Sequence, residues 1–185
     1  MKQDKVKQMK QCLEHRIKEV LPDSIAEEME IEPGDMLLEI NGQKIKDVFD
    51  YIILDCPPSL GLITTNALAA SNSVIIPVQC EFFALEGIMQ LLNSIMIAQK
   101  KLNPSLDIEG VLLTMLDNRT NLGLEVVEEI KSYFKEKVYD TIIPRLVRLS
   151  EAPSHGKPIH AYDPRSRGTE AYINLAKEVI ERNGN

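Results

Sequence analysis

From Tyr51 to the end of the chain, short apolar runs alternate with longer stretches of helical periodicity, and few folds accommodate that alternation. The runs Tyr51–Asp55, Ser73–Val78, Ile108–Leu116 and Thr141–Ile143 read as strands. Leu60–Ala70, Ala84–Leu102, Asn121–Phe134 and Ser166–Arg182 read as helices. A strand, a helix and a second strand in succession make a βαβ unit, whose crossover sets neighbouring strands parallel and covers the sheet. The expected fold class is therefore α/β, with an incomplete doubly wound parallel sheet. In the last helix Ala171, Tyr172, Leu175, Ala176, Val179 and Ile180 share one apolar stripe, while Glu170, Asn174, Lys177, Glu178 and Glu181 face away.

The run Tyr51-Ile52-Ile53-Leu54-Asp55 ends in a carboxylate and continues as Cys56-Pro57-Pro58-Ser59-Leu60-Gly61. This has the form of a Walker B strand. An apolar strand buried on both faces carries one Asp to the carboxyl end of the sheet, where ligands of open α/β sheets bind. There a carboxylate orients Mg²⁺ or water beside a nucleotide phosphate, so Asp55 is the candidate catalytic and metal-ligating residue. A phosphate site also needs a Gly-rich loop with Lys, and the sequence contains no G-x-x-x-x-G-K-[ST].

Before Tyr51 the texture differs. Residues 1–14, rich in Lys and Gln, read as a lead segment with weak helical periodicity. Residues 15–50 read as short strands and turns: a strand at His15–Val20, a helical turn from Pro22 to Glu28, a turn at Pro33-Gly34-Asp35 and a strand at Met36–Ile40. Asn41-Gly42 then signals a hairpin, because both residues tolerate the positive φ of a type I′ turn. The run from Val20 to Gly42 resembles the middle of a bacterial PDZ-like domain, through its small-residue helix, its Pro-Gly-Asp turn and its Ile-Asn-Gly hairpin. The expected organisation is a lead segment (1–14), a PDZ-like β-rich fragment (15–50) and an α/β domain (51–185), a fusion joined near Phe49-Asp50-Tyr51.

The formal net charge of −7 gives no global attraction to nucleic acid, so DNA contact requires a local basic group. Arg119, Arg145, Arg148, Lys157, Arg165 and Arg167 provide one in the C-terminal half. Cys12, Cys56 and Cys80 form no C-x-x-C pair and read as core thiols of a reducing compartment. His15, His155 and His160 share no metal-ligand spacing. The apolar runs are shorter than the ~20 residues that span a bilayer, so a cytoplasmic protein without a membrane partner is expected.

Further blocks follow the Walker B run: Pro77-Val78-Gln79-Cys80-Glu81-Phe82-Phe83-Ala84-Leu85-Glu86-Gly87, Gly110-Val111-Leu112-Leu113-Thr114-Met115-Leu116-Asp117, Arg148-Leu149-Ser150-Glu151-Ala152-Pro153-Ser154-His155-Gly156-Lys157-Pro158 and Tyr162-Asp163-Pro164-Arg165-Ser166-Arg167-Gly168. With these blocks in this order, the chain from Asp50 onward resembles the second half of a ParA/Soj-type partitioning ATPase, a MinD-related protein of the deviant Walker A group. The resemblance implies an ATP-dependent switch that binds duplex DNA non-specifically as a nucleotide-sandwich dimer and is released by a ParB-type partner. It implies ATP and Mg²⁺ as cofactors, and a homodimer or a mixed dimer with an intact ParA. By the same resemblance Asp55 is the Walker B carboxylate, Pro144 and Arg145 are cofactor-binding residues in the base-contacting loop, and Arg119 and Arg148 bind DNA.

This sequence departs from the family in two places. The family's Pro-Arg-Asn-Val-Arg is here Pro144-Arg145-Leu146-Val147-Arg148, which removes an amide able to bond an adenine edge. The Lys-Gly-Gly-Val-Gly-Lys-Thr-Thr loop is missing as well. Positioning and charge stabilisation carry phosphoryl transfer, so ATPase activity is expected to be lost or supplied by another subunit. Without the strand that precedes that loop, Tyr51–Asp55 is expected to form a sheet edge unless Met36–Ile40 or Lys44–Val48 pairs with it. The alternative readings are a PDZ-like interaction module on an α/β scaffold, or a recombinant fusion without selected function.

Overall fold

The structure, a computed structural model, describes residues 39–40, 43–44, 50–57 and 61–184. The lead segment and most of the expected PDZ-like fragment lie outside the described residues. Strands β1 (Glu39–Ile40) and β2 (Gln43–Lys44) pair antiparallel, with Glu39 opposite Lys44 and Ile40 opposite Gln43. That is the register of a hairpin with a two-residue connection.

The elements that follow are α1 (Leu62–Ala70), β3 (Ser73–Gln79), α2 (Ala84–Lys101), β4 (Asp107–Thr114), α3 (Asn121–Phe134), a 3-10 turn (Lys135–Lys137), α4 (Val147–Ser154), α5 (Ile159–Tyr162) and α6 (Arg167–Arg182). They fall into two compact units, one drawn from Met1–Ser73 and Leu91–Asp107, the other from Val74–Gln90 and Ile108–Asn185.

In the first unit the link from α2 to β4 is tied to the end of α1 by one amide side chain. Asn103 is only 5% exposed and donates from Nδ2 to the carbonyls of Leu68 (3.2 Å) and Ser71 (2.7 Å). Its Oδ1 accepts from the backbone N–H of Ser105 (3.3 Å) and from the Ser105 hydroxyl (2.7 Å). Leu68, Ile95, Ala98 and Leu106 are buried in this unit. The expected strand at Tyr51–Asp55 is not present: these residues adopt no regular secondary structure, and Ile53 is 89% exposed. A strand exists only through a neighbour's backbone groups, and no described strand lies in ladder register with this segment.

The second unit is built on β4. The Asp107 N–H donates to the Asn72 carbonyl before β3 and the Cys80 N–H donates to the Thr114 carbonyl after it, so β3 and β4 run parallel. On its other side β4 meets the 138–144 segment through parallel bridges, Val111 with Val138 and Leu116 with Pro144. Flanked on both sides, Gly110, Val111, Leu112 and Leu113 are all buried, the pattern of a central parallel strand. Gly110 is required there, since a Cβ would lie 2.7 Å from Tyr139 Cε2 and 2.8 Å from the Lys137 carbonyl oxygen.

The strand expected at Thr141–Ile143 is replaced by those two separate bridges. Tyr139 and Ile143 donate their N–H groups to Val111 and Leu113, whereas Thr141, which the two-residue alternation would also turn to β4, donates to Glu178 (2.9 Å). The core behind the segment is Leu112, Tyr139 and Ile143, packed by Leu149, Ala171, Leu175 and Val179. The stripe of α6 is thus narrower than its sequence suggests. Tyr172, Ala176 and Ile180 stay exposed, and Glu178, expected to face away, is drawn inward by backbone N–H groups. Helix α4, with Pro153 in its last turn, is an element that the apolar pattern did not signal.

Candidate nucleic-acid interface

The arginines singled out by sequence all belong to the second unit. Strand β4 stops at Thr114, two residues earlier than expected, because Met115 turns into the left-handed region at φ 55°. The turn that follows presents Arg119. Its guanidinium forks onto Asp117, Nε to Oδ1 at 2.9 Å and Nη2 to Oδ2 at 2.7 Å, while the Arg119 N–H also donates to Oδ1 (3.1 Å). Those bonds hold the Asp117 carboxyl well below the usual carboxylate range. The Arg119 side chain is nevertheless 88% exposed. Thr120 then caps α3 by accepting from the Gly123 N–H (3.3 Å).

Pro144 and Arg145 stand beside this turn. Leu116 donates to the Ile143 carbonyl (3.2 Å) and Arg145 donates its N–H to the Leu116 carbonyl (2.9 Å), which fixes the loop against the end of β4. The Arg145 guanidinium reaches Glu81, just past β3, at 3.1 Å. Pro144 lines an open groove of about 540 Å³ together with Leu116, Asn118, Thr141, Arg167 and Asn174.

Arg148 lies in the first turn of α4. Its Nη1 donates to Glu151 Oε2 (3.1 Å) and to the Tyr162 hydroxyl (3.5 Å), and its Nε lies 3.6 Å from Asp163 Oδ2. Tyr162 and Glu151 push the Arg148 guanidinium further into its charged form. Each of the three arginines therefore meets a carboxylate on the protein surface, Asp117, Glu81 or Glu151. Glu151 stands three residues after Arg148 on α4, a helix that the sequence reading did not signal, so this pairing too emerged only with the fold. Glu81 is 64 residues from Arg145, and no local pattern announces it.

Asp55 belongs to the first unit and the arginines to the second. It is exposed, in the segment without regular secondary structure. Among the described residues no group of three His, Cys, Asp or Glu side chains is placed to hold a metal ion. The sequence contains no Gly-rich Lys loop of the kind that cradles the phosphates of ATP.

A parallel sheet crossed by helices, with polar loops gathered at the strands' carboxyl ends, is an α/β fold of the P-loop NTPase kind. The solved structure of cobyrinic acid a,c-diamide synthase from Mycobacterium smegmatis with bound ATP analog and magnesium has it too, at a TM-score of 0.61 and 33% identity over 74% of this chain and 50% of that one. The AAA domain family matches residues 7–108, and the chain belongs to that family, in its ParA/Soj type. The match crosses the boundary expected near residue 50 and covers the whole segment, 15–50, read as PDZ-like. The sporulation initiation inhibitor protein Soj of Bacillus subtilis is 69% identical over 137 residues, 74% of this chain and 54% of that protein. The chromosome partitioning protein ParA of Myxococcus xanthus is 57% identical over 134 residues, 72% of this chain and 47% of that protein. The chain spans about half the length of these relatives.

Proposed function

We propose that this chain works in chromosome or plasmid partitioning as a cytoplasmic protein that binds duplex DNA weakly and without sequence preference, through Arg119 and Arg148. The observation that carries this reading is the exposure of three guanidinium groups in one compact unit, with side chains 88%, 59% and 58% accessible at Arg119, Arg145 and Arg148. Guanidinium groups on a backbone-tracking surface fix position and supply affinity without reading bases. The similarity to Soj and ParA supports a ParB-type protein as partner. It also supports assembly as a homodimer or with an intact ParA, whose nucleotide site would serve in place of the loop this sequence lacks. By the same similarity Asp55 is the candidate Mg²⁺-facing carboxylate and, separately, Pro144 and Arg145 are candidate nucleotide contacts; alone, the chain is expected not to hydrolyse ATP.

Titration of a labelled duplex at several salt concentrations tests the DNA reading. Each lost phosphate contact lowers the log–log salt slope by ~0.9, so Arg119→Ala with Arg148→Ala flattens it by roughly two units at most. Unchanged affinity and slope in the double variant would remove these arginines from the site.

A further inference from the structure

Arg148 is accessible and at the same time neutralised. Two carboxylates flank one guanidinium, Glu151 Oε2 at 3.1 Å and Asp163 Oδ2 at 3.6 Å, with side chains 40% and 34% exposed. The formal charge of these three groups together is therefore negative, which disfavours the approach of a DNA phosphate to Arg148. The cluster is also ordered from behind. The Tyr162 hydroxyl donates to the same Glu151 oxygen (3.1 Å), and the His155 ring stacks on Tyr162 with centroids 5.0 Å apart. Ser166 and Thr169 donate their hydroxyls to the Asp163 carbonyl at 3.0 and 2.7 Å, which sets that residue's backbone independently of its carboxylate.

We propose that Glu151 and Asp163 form a carboxylate clamp that competes with phosphate for the Arg148 guanidinium, so that DNA contact at this position proceeds by exchange of the clamp for a phosphate. This rests on the DNA-binding reading above. Exchange is feasible because solvent-exposed ion pairs are weak and salt-screened. It is also selective for a polyanion. One small anion gains little by displacing two tethered carboxylates, whereas a duplex presents a dense row of phosphates that re-engages each guanidinium as it opens. The clamp thereby holds basal affinity down while leaving the guanidinium in place.

The experiment is a double-mutant cycle on the full chain, read by labelled-duplex titration, with far-UV circular dichroism confirming the fold of each variant. Glu151→Gln removes the charge and keeps the shape, and should tighten duplex binding by about fivefold at low salt. In an Arg148→Ala background the same change should do nothing. Asp163→Asn, whose carbonyl bonds are untouched, reads the clamp a second time should Glu151→Gln misfold. Glu128→Gln, an exposed carboxylate on α3, measures the effect of bulk charge. A gain equal to that of Glu128→Gln, a gain that survives Arg148→Ala, or no gain in a wild-type chain that binds DNA would overturn the clamp. No binding by wild type or by any variant would overturn the DNA reading, and the clamp with it.

Discussion

Arg182 lays its guanidinium over the ring of Tyr139, 4.2 Å from the centroid. The same guanidinium donates from Nη2 to the Val138 carbonyl and to Glu178 Oε1, both at 2.8 Å. Glu178 in turn accepts the N–H groups of Asp140 (2.7 Å) and Thr141 (2.9 Å). The two side chains from α6 thus satisfy the backbone of the 138–144 segment where a strand would otherwise do so, and they blunt a sheet edge.

Loss of either partner should loosen that edge. Glu178→Ala leaves two amide N–H groups without their acceptor and should cost about 1–3 kcal/mol in urea unfolding. Arg182→Lys should cost nearly as much as Arg182→Ala, because an ammonium keeps the charge but not the stacked, forked geometry. The pH dependence has a fixed sign. Burial disfavours the Glu178 charge, but the Thr141 and Asp140 N–H groups and Arg182 outweigh it and hold the carboxyl below its ordinary value. A depressed folded-state value means that this stabilisation is complete above the ordinary Glu range, ~4.3, and is lost as pH falls below it. Acid titration of stability should therefore flatten in Glu178→Gln; an unchanged profile would refute the assignment.

Tyr139 is fully buried, and its hydroxyl has no hydrogen-bond partner among the described residues. Burial, with Glu109 near, pushes the phenol up to about 12. A buried unpaired hydroxyl is a cost of about 1–3 kcal/mol, so Tyr139→Phe should unfold at the same or a higher urea concentration than wild type. Tyr139→Leu should fall well below both, since it empties the space beside Gly110 and removes the ring under Arg182. A destabilised Tyr139→Phe would show that the hydroxyl is paired in solution.

Asn103 closes the first unit with bonds that no apolar side chain replaces. Asn103→Ala should cost about 1–3 kcal/mol, and Asn103→Asp should not rescue it, because a carboxylate cannot donate to the Leu68 and Ser71 carbonyls. Proteolysis near residues 102–106 should accelerate in both variants, and equal cleavage rates would count against the bracing role.

ATP hydrolysis by the isolated chain should stay at background with Mg²⁺ and duplex DNA present. Phosphate release compared between wild type and Asp55→Ala is the measurement, and a signal abolished by Asp55→Ala would overturn the expectation.

Elements whose pattern is self-contained were readable in advance. Helix α3 has the expected bounds, Asn121–Phe134, and α6 starts one residue late because Ser166 is its cap. Their apolar periodicity and caps are local properties of the chain. The parallel pairing of β3 with β4 followed from a helical crossover between two strands, and the family followed from blocks in a fixed order.

Position in the tertiary structure decided the rest. Tyr51–Asp55 has the composition of a buried strand and is not one, since strand geometry depends on a neighbour that composition does not supply. Thr141–Ile143 fails as a strand because Glu178, 37 residues away from Thr141, takes the amide that the ladder required. The arginines were visible as charges, but their pairing with Glu81, Asp117, Glu151 and Asp163 was not. Charge is a property of a residue, whereas its availability to a phosphate depends on which carboxylates the folded backbone brings within about 4 Å of it.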